Sequence, residues 1–288
     1  GRRILDSMPK NAVLLVNGDL NNNAVKYLQQ CEGVRRDVSI LGLQQMSWPW
    51  WVPMHRHHYP NITLPGERYH VSFPNSFNMK RFLDKNYNKA PIFLCGPWKH
   101  GDESAEVTYE LMPYGLCNKV TKKGRKPPRL HTFLAKGWKA LPKMNDYGPW
   151  MPKLYAEDTW EYVAYHDMWH RSVYSAGVIT FHASQEGPET AKILNLAKTV
   201  CDYIFSKDLR RLLSSKKIYR ATDYRGAGII YGKWAAKKKG YSRARAEKKM
   251  ITLWKIYLKL NPDDTELKPF IEGNVNPFTR QPIETMSE

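Results

Sequence analysis

Ala12-Val13-Leu14-Leu15-Val16-Asn17-Gly18-Asp19 is the stretch on which the fold turns. Ala12 to Val16 form a short apolar run with β-branched ends, and Asn17-Gly18-Asp19 is a turn signal that stops it. An asparagine at 21, 22 or 23 can cap a helix running to about Glu32. Val25, Leu28 and Gln29 share one face of it, and Gly33 is a suitable C-terminal stop. Residues 37–43 supply a second strand. Strand, helix and strand within about thirty residues have the size of a right-handed βαβ unit. Residues 92–96 predict a third strand and 109–112 a fourth. The expectation is a small α/β, Rossmann-like domain over residues 1–120.

Between these strands lies Ser47-Trp48-Pro49-Trp50-Trp51-Val52-Pro53. Proline forbids a central strand there, and three indoles need cover. The favoured reading is an irregular segment whose rings plug the side of the sheet; the alternative is an aromatic platform for stacking a sugar or a base. His55-Arg56-His57-His58 reads as a solvated loop. Asn61-Ile62-Thr63 is the single N-glycosylation sequon, which matters only in the secretory pathway.

Beyond residue 120 the pattern changes. Residues 121–155 read as a basic, proline-containing arm, because Pro127 and Pro128 break the run Lys122 to Arg129. The stretch 148–152 is a second break. Helical periodicity then extends over 156–262. Asp158 with Glu161 reads as a capping box, followed by Trp160, Val163, Ala164 and Met168 at helical spacing. A second helix follows Gly187 and carries Ile193, Leu196, Ala197, Val200 and Ile204. A third runs from about Lys216 to Lys238, and a fourth from Ser242 ends at Leu260-Asn261-Pro262. This predicts an all-α domain of tetratricopeptide-like helical hairpins and an irregular tail over 263–288. Gly226, Gly228 and Gly232 fail the spacing of a nucleotide loop and read as small residues at a helix–helix contact.

Lysine plus arginine total 45 against 27 acidic residues, a formal charge of +18. The excess sits in two blocks, +8 over residues 121–155 and +14 over 207–259. Lys122, Lys123, Arg125 and Lys126 in the first, and Lys237, Lys238, Lys239, Arg243, Arg245, Lys248 and Lys249 in the second, are candidate contacts for a nucleic acid or other polyanion. Four cysteines without C-x-x-C spacing argue against a thiolate zinc site and permit one or two disulfides in an oxidising compartment. His166 and His170 sit four apart, but Asp167 is too short to serve as the base of a zinc protease and no third ligand follows, so no metal is expected. No apolar run approaches a membrane span, which predicts a soluble chain. Gly1-Arg2-Arg3 without an initiator methionine reads as a processed chain or a piece of a longer one. Catalytic motifs, cofactor loops and paired catalytic carboxylates are not recognisable, so catalytic residues and cofactors are expected to be none.

Met8-Pro9-Lys10-Asn11-Ala12, Gly18-Asp19-Leu20, Tyr27, Cys31-Glu32-Gly33-Val34-Arg35 and Asp37-Val38 together resemble one family. Trp50-Trp51-Val52-Pro53, Leu64 to Tyr69, Gly101-Asp102, Pro113 to Cys117, Trp160-Glu161 and Met168-Trp169 continue the resemblance through about residue 170. The chain resembles the soluble C-terminal, lumenal region of the transmembrane protein O-mannosyltransferases that modify IPT domains of plexins and related receptors. The resemblance implies an α/β domain followed by tetratricopeptide-like helices, with the glycosyltransferase machinery in a membrane part upstream. The family pattern usually has proline where this chain has Arg36, its members are usually less basic, and the His166/His170 pair is foreign to it. Gly18, Asp19, Tyr27, Glu32, Gly33, Arg35 and Asp37 are read as structural motif residues, with Arg35 and Asp37 as a local clamp. The implied role is a non-catalytic binding or scaffolding module in the endoplasmic reticulum lumen, with other protein chains as partners. Membrane attachment would come only through the upstream part, and Asn61 would be glycosylated there. The alternative is a repurposed subunit that binds RNA or another polyanion in an organellar, for example mitochondrial, ribonucleoprotein.

Overall fold

The computed structural model describes residues 1–142, 159–206, 220–273 and 275–283, apart from the side chains at 160, 161, 165 and 166. The break at 148–152, the Asp158/Glu161 cap, the His166 ring and the start of a helix at Lys216 lie outside the described residues. The chain divides into two compact units, residues 1–149 and 150–288.

The first unit is a five-stranded mixed sheet with helices. Its elements are α1 (Arg2–Ser7), β1 (Val13–Val16), α2 (Asp19–Gln30), β2 (Ser39–Gly42), α3 (Met79–Asn86), β3 (Ile92–Cys95), β4 (Tyr109–Tyr114), β5 (Cys117–Lys122) and α4 (Leu130–Ala140). The order across the sheet is β2-β1-β3-β5-β4. The first three strands are parallel, with Val13 level with both Ser39 and Ile92. β5 then runs antiparallel to both β3 and β4.

Every residue of β1 and β3 is buried, as expected of parallel strands covered on both faces. Alternate side chains serve two cores. Val13, Leu15, Leu41 and Leu94 pack with Trp51, Phe77 and Phe82, while Leu14, Val16, Ile40 and Phe93 pack with Ile4, Leu5 and Val25. A disulfide joins Cys95 on β3 to Cys117 on β5, with Cα atoms 4.4 Å apart. Cys31 and Cys201 are free thiols.

Two local readings change in this unit. The cap of α2 is Gly18 rather than an asparagine, because φ of +90° there lets β1 turn straight into the helix and leaves residues 21–23 inside it. Part of the basic stretch after residue 120 is regular structure rather than an arm. Lys122 ends strand β5, and Leu130, Leu134 and Trp138, at helical spacing, bury one face of α4. Gly137 lets α4 approach β4 closely, since a Cβ there would lie 3.2 Å from Tyr114 Cα. In the opposite direction, the Gly115 amide donates to the Gly137 carbonyl at 3.1 Å.

The second unit is helical: α5 (Trp160–Ser184), α6 (Thr190–Ile204), α7 (Ala221–Ala235) and α8 (Gly240–Leu260). Thr159 caps α5, its hydroxyl accepting from the Tyr162 amide at 3.3 Å. α6 buries Ile193, Leu194, Ala197, Val200, Cys201 and Ile204 on one stripe. The glycines of α7 sit at a close helix contact: a Cβ on Gly228 would lie 2.2 Å from Trp254 Nε1 of α8. That indole donates to the Arg225 carbonyl at 3.2 Å. The tail, expected to be irregular, carries a short helix (Lys268–Glu272) and a two-stranded hairpin, β6 (Val275–Asn276) with β7 (Gln281–Pro282). Phe278 at its turn packs against Gly232. No helix among the described residues is long and apolar enough to cross a membrane.

Candidate functional site

Two of the motif residues of the first unit, Arg35 and Asp37, form a clamp at the N-terminal edge of the parallel strands, with Gly33 and Glu32 just before them. Arg35 sits in left-handed backbone, φ +51°, just past Gly33 at φ +69°, so the chain doubles back after α2. Its guanidinium forks onto Asp37, with Nε to Oδ1 at 2.8 Å and Nη2 to Oδ2 at 2.9 Å. It also donates to the carbonyls of Leu5 and Met8, both at 2.8 Å, and of Pro9 at 3.0 Å. The second carboxylate oxygen of Asp37 accepts from the Asn11 amide at 3.0 Å. The guanidinium beside it holds the Asp37 carboxyl well below the usual carboxylate range. The clamp therefore ties the end of α1 and the entry to β1 to the segment before β2. Glu32 adds an exposed ion pair with Arg2 at 2.6 Å. Asp19 and Tyr27 are exposed on α2, outside the clamp.

The tryptophan segment splits in two. Trp51 is buried against the sheet and stacks on His55 with ring centroids 4.8 Å apart. Trp48 and Trp50 stack on each other at 5.3 Å yet remain 44% and 50% exposed. Met54, also exposed, follows in the same helical turn, Trp51–His55. The plug reading thus describes Trp51 alone, and the sequence carried no signal to tell the three indoles apart. His57 and His58 lie 3.9 Å apart on the surface, but no group of three potential ligands able to hold a metal occurs among the described residues.

The basic candidates also separate. In the first unit, Lys123, Arg125 and Lys126 are exposed on the turn after β5, and Lys122 lies with its ammonium 5.4 Å above the Tyr87 ring. In the second unit, Lys237, Lys238, Lys239, Arg245 and Lys248 are exposed. Arg243 and Lys249 are already engaged. Arg243 Nε donates to Glu247 Oε1 at 3.0 Å and its Nη1 to Gln281 at 2.6 Å. Glu247 is fully buried and also accepts from Asn276 Nδ2 at 2.9 Å, which pins the tail hairpin to α8. Lys249 Nζ donates to Asp202 Oδ1 at 2.6 Å, beside Tyr231 OH at 2.7 Å from the same oxygen. Burial alone would raise the Asp202 pKa, but hydrogen bonds from Lys198, Lys249 and Tyr231 outweigh it and hold the group below its ordinary value. Trp234 is flanked by Lys198 at 4.8 Å and Lys238 at 5.0 Å from the ring centre. Sequence reading missed Asp202 and Glu247; the signal available was a lone acid at helical spacing from a base, as in Arg243 and Glu247.

Residues 1–101 match the family model described as TMEM260-associated domain 2. The chain is 27% identical over 262 residues to the protein O-mannosyl-transferase tmem260 of Dictyostelium discoideum, covering 90% of this chain and 32% of that protein. It is 32% identical over 176 residues to the protein O-mannosyl-transferase TMEM260 of Mus musculus, covering 58% of this chain and 24% of that protein. No solved structure matches the chain. The chain is thus homologous to the TMEM260 protein O-mannosyl-transferases, and it spans about a quarter to a third of the length of these relatives.

Proposed function

We propose that this chain is a polypeptide-binding module of a protein O-mannosyltransferase and does not itself transfer mannose. The carrying observation is the Trp48–Trp50 pair, two stacked indoles left about half exposed, with exposed Met54 following in the next turn. Exposed aromatic clusters of this kind mark docking sites, and tryptophan is the residue most enriched among interface hot spots. The relatives are named as transferases that act on protein, which supports a protein acceptor as the partner. The Cys95–Cys117 disulfide supports an oxidising, lumenal compartment. Parallel β2-β1-β3 pairing around α2 supports the Rossmann-like reading of the first unit, and the successive helices α5 to α8 support helical hairpins in the second.

The test is titration of the intact chain against an acceptor domain by interferometry. Saturable binding is expected, weakened at least tenfold by Trp48→Ala with Trp50→Ala, and unchanged by Lys238→Glu with Lys248→Glu. Equal binding by the tryptophan variant overturns the docking surface. Mannosyl transfer from a lipid-linked donor by the chain alone overturns the non-catalytic role.

A second reading rests on Lys237, Lys238, Lys239, Arg245 and Lys248, five cations exposed on the helical unit beside exposed Tyr241. It makes this unit a polyanion-binding surface, for which RNA is the probe. If these five cations alone each neutralise one phosphate, the log–log salt slope is about −3.5 for single strands, at roughly 0.7 per phosphate. Lys238→Glu with Lys248→Glu should abolish binding without unfolding the chain. A flat titration at physiological salt removes this reading.

A further inference from the structure

We propose that Asn61 carries an N-linked glycan, an inference that rests on the lumenal reading above. Asn61-Ile62-Thr63 is the single sequon in the chain. The structure holds its neighbours and leaves the acceptor out. Tyr59 donates its hydroxyl to the Ile40 carbonyl at 3.0 Å on one side of the turn. Ile62 is buried in the core, and its amide donates to the Tyr59 carbonyl at 3.0 Å. Thr63 is gripped by the buried amide of Asn86, whose Oδ1 accepts from the Thr63 amide and whose Nδ2 donates to the Thr63 carbonyl, both at 2.8 Å. Lys89 adds a bond to the Thr63 hydroxyl at 2.6 Å. Asn61 is exposed, next to exposed Pro60 and ahead of buried Ile62, so a bulky substituent on its amide projects into solvent and displaces no core contact.

The second observation is independent of the sequon. The Cys95–Cys117 disulfide joins two strands inside the sheet, and such bonds form in the compartments that also glycosylate asparagine. The donor class is a polyprenyl-diphosphate-linked oligosaccharide. In the transfer, Asn61 Nδ2 forms a bond to the anomeric carbon, that carbon's bond to the diphosphate oxygen breaks, the polyprenyl diphosphate leaves, and the amide gives up one proton.

The test places the full chain behind a cleavable secretory leader in cultured animal cells. The expected product runs one glycan heavier on a gel and returns to the unmodified mobility with peptide N-glycanase applied to the native protein. Asn61→Gln and Thr63→Ala abolish the step, while Thr63→Ser retains it. An unglycosylated product overturns the proposal. Thiol alkylation of the same sample shows whether Cys95 and Cys117 are oxidised. If they are, only the glycan proposal fails; if they are free, the lumenal reading fails with it.

Discussion

Replacing Arg35 isolates the clamp that organises the first unit. Its guanidinium makes five hydrogen bonds, two to the Asp37 carboxylate and three to the carbonyls of Leu5, Met8 and Pro9. Hydrogen bonds to charged groups are each worth about 1.5–3 kcal/mol net, but these five share one partly exposed side chain and water can replace some of them. Counting the carboxylate fork and the carbonyl set as one such contribution each, Arg35→Ala should cost about 4 kcal/mol. Arg35→Gly should cost about 1 kcal/mol less, because φ of +51° is left-handed backbone that penalises any Cβ. The readout is hydrogen exchange at the β1 amides, which opens with the unit as a whole. A loss of about 4 kcal/mol accelerates it by roughly 10³ in the regime where exchange follows the opening equilibrium. The clamp also sets an acid limit. The folded pKa of Asp37 lies below its unfolded value, so its contribution is present above about pH 4 and is lost as pH falls through the lower, folded value. Asp37→Asn should therefore flatten the acid limb of the stability curve. Exchange in Arg35→Ala within threefold of the parent would refute the assignment of this pair as the organiser of the βαβ unit.

Gly228→Ala gains helix propensity of about 1 kcal/mol but places a methyl 2.2 Å from Trp254 Nε1, so the melting temperature of the helical unit should fall; a rise would show that the α7–α8 contact is loose. Arg243→Ala leaves the Glu247 carboxylate buried without its cation and should cost about 3 kcal/mol, with earlier proteolysis of the tail hairpin. Adding Glu247→Gln should restore part of that loss, and failure to do so would detach the effect from charge burial. Cys95→Ala with Cys117→Ala removes a cross-link spanning 22 residues and should cost about 3 kcal/mol by denaturant titration, against no change if the bond does not form.

What could be read from the chain followed from strong local signals. The run Ala12 to Val16 and the glycine after it defined β1 and its turn, because buried parallel strands are continuous in apolar residues and φ of +90° selects glycine. The Arg35–Asp37 pair was legible as opposite charges two residues apart; the two side chains meet because Arg35 sits in left-handed backbone that turns the chain between them. α4 was obscured by composition. Pro127, Pro128 and the lysines around them dominated the segment, although Leu130, Leu134 and Trp138 already recur at four-residue intervals. β5 sets half-buried Asn118 and Lys119 before buried Val120 and Thr121, with no period-two alternation, and its strand character comes from pairing with β3 and β4, which no local window contains.

The candidate surfaces were less legible because exposure is a property of register. Trp48, Trp50 and Trp51 are one residue type within four positions, and only the helical turn at Trp51–His55 decides that the third faces the core and the first two face water. The basic block behaves alike. Arg243 and Glu247 lie four apart on the inner side of α8, where the buried carboxylate draws the guanidinium inward, while Lys248, one residue on, is turned outward. Lys249 comes round again to Asp202. A net charge summed along sequence therefore overstates what a partner meets on this part of α8: Lys249 on Asp202 and Arg243 on Glu247 hold the helices and the tail hairpin in place, while their exposed neighbours Arg245 and Lys248 face outward. The same distinction favours the tryptophan pair as the docking surface, since those rings are exposed by the register that buries their neighbour and neither is drawn into the core on which the first unit depends.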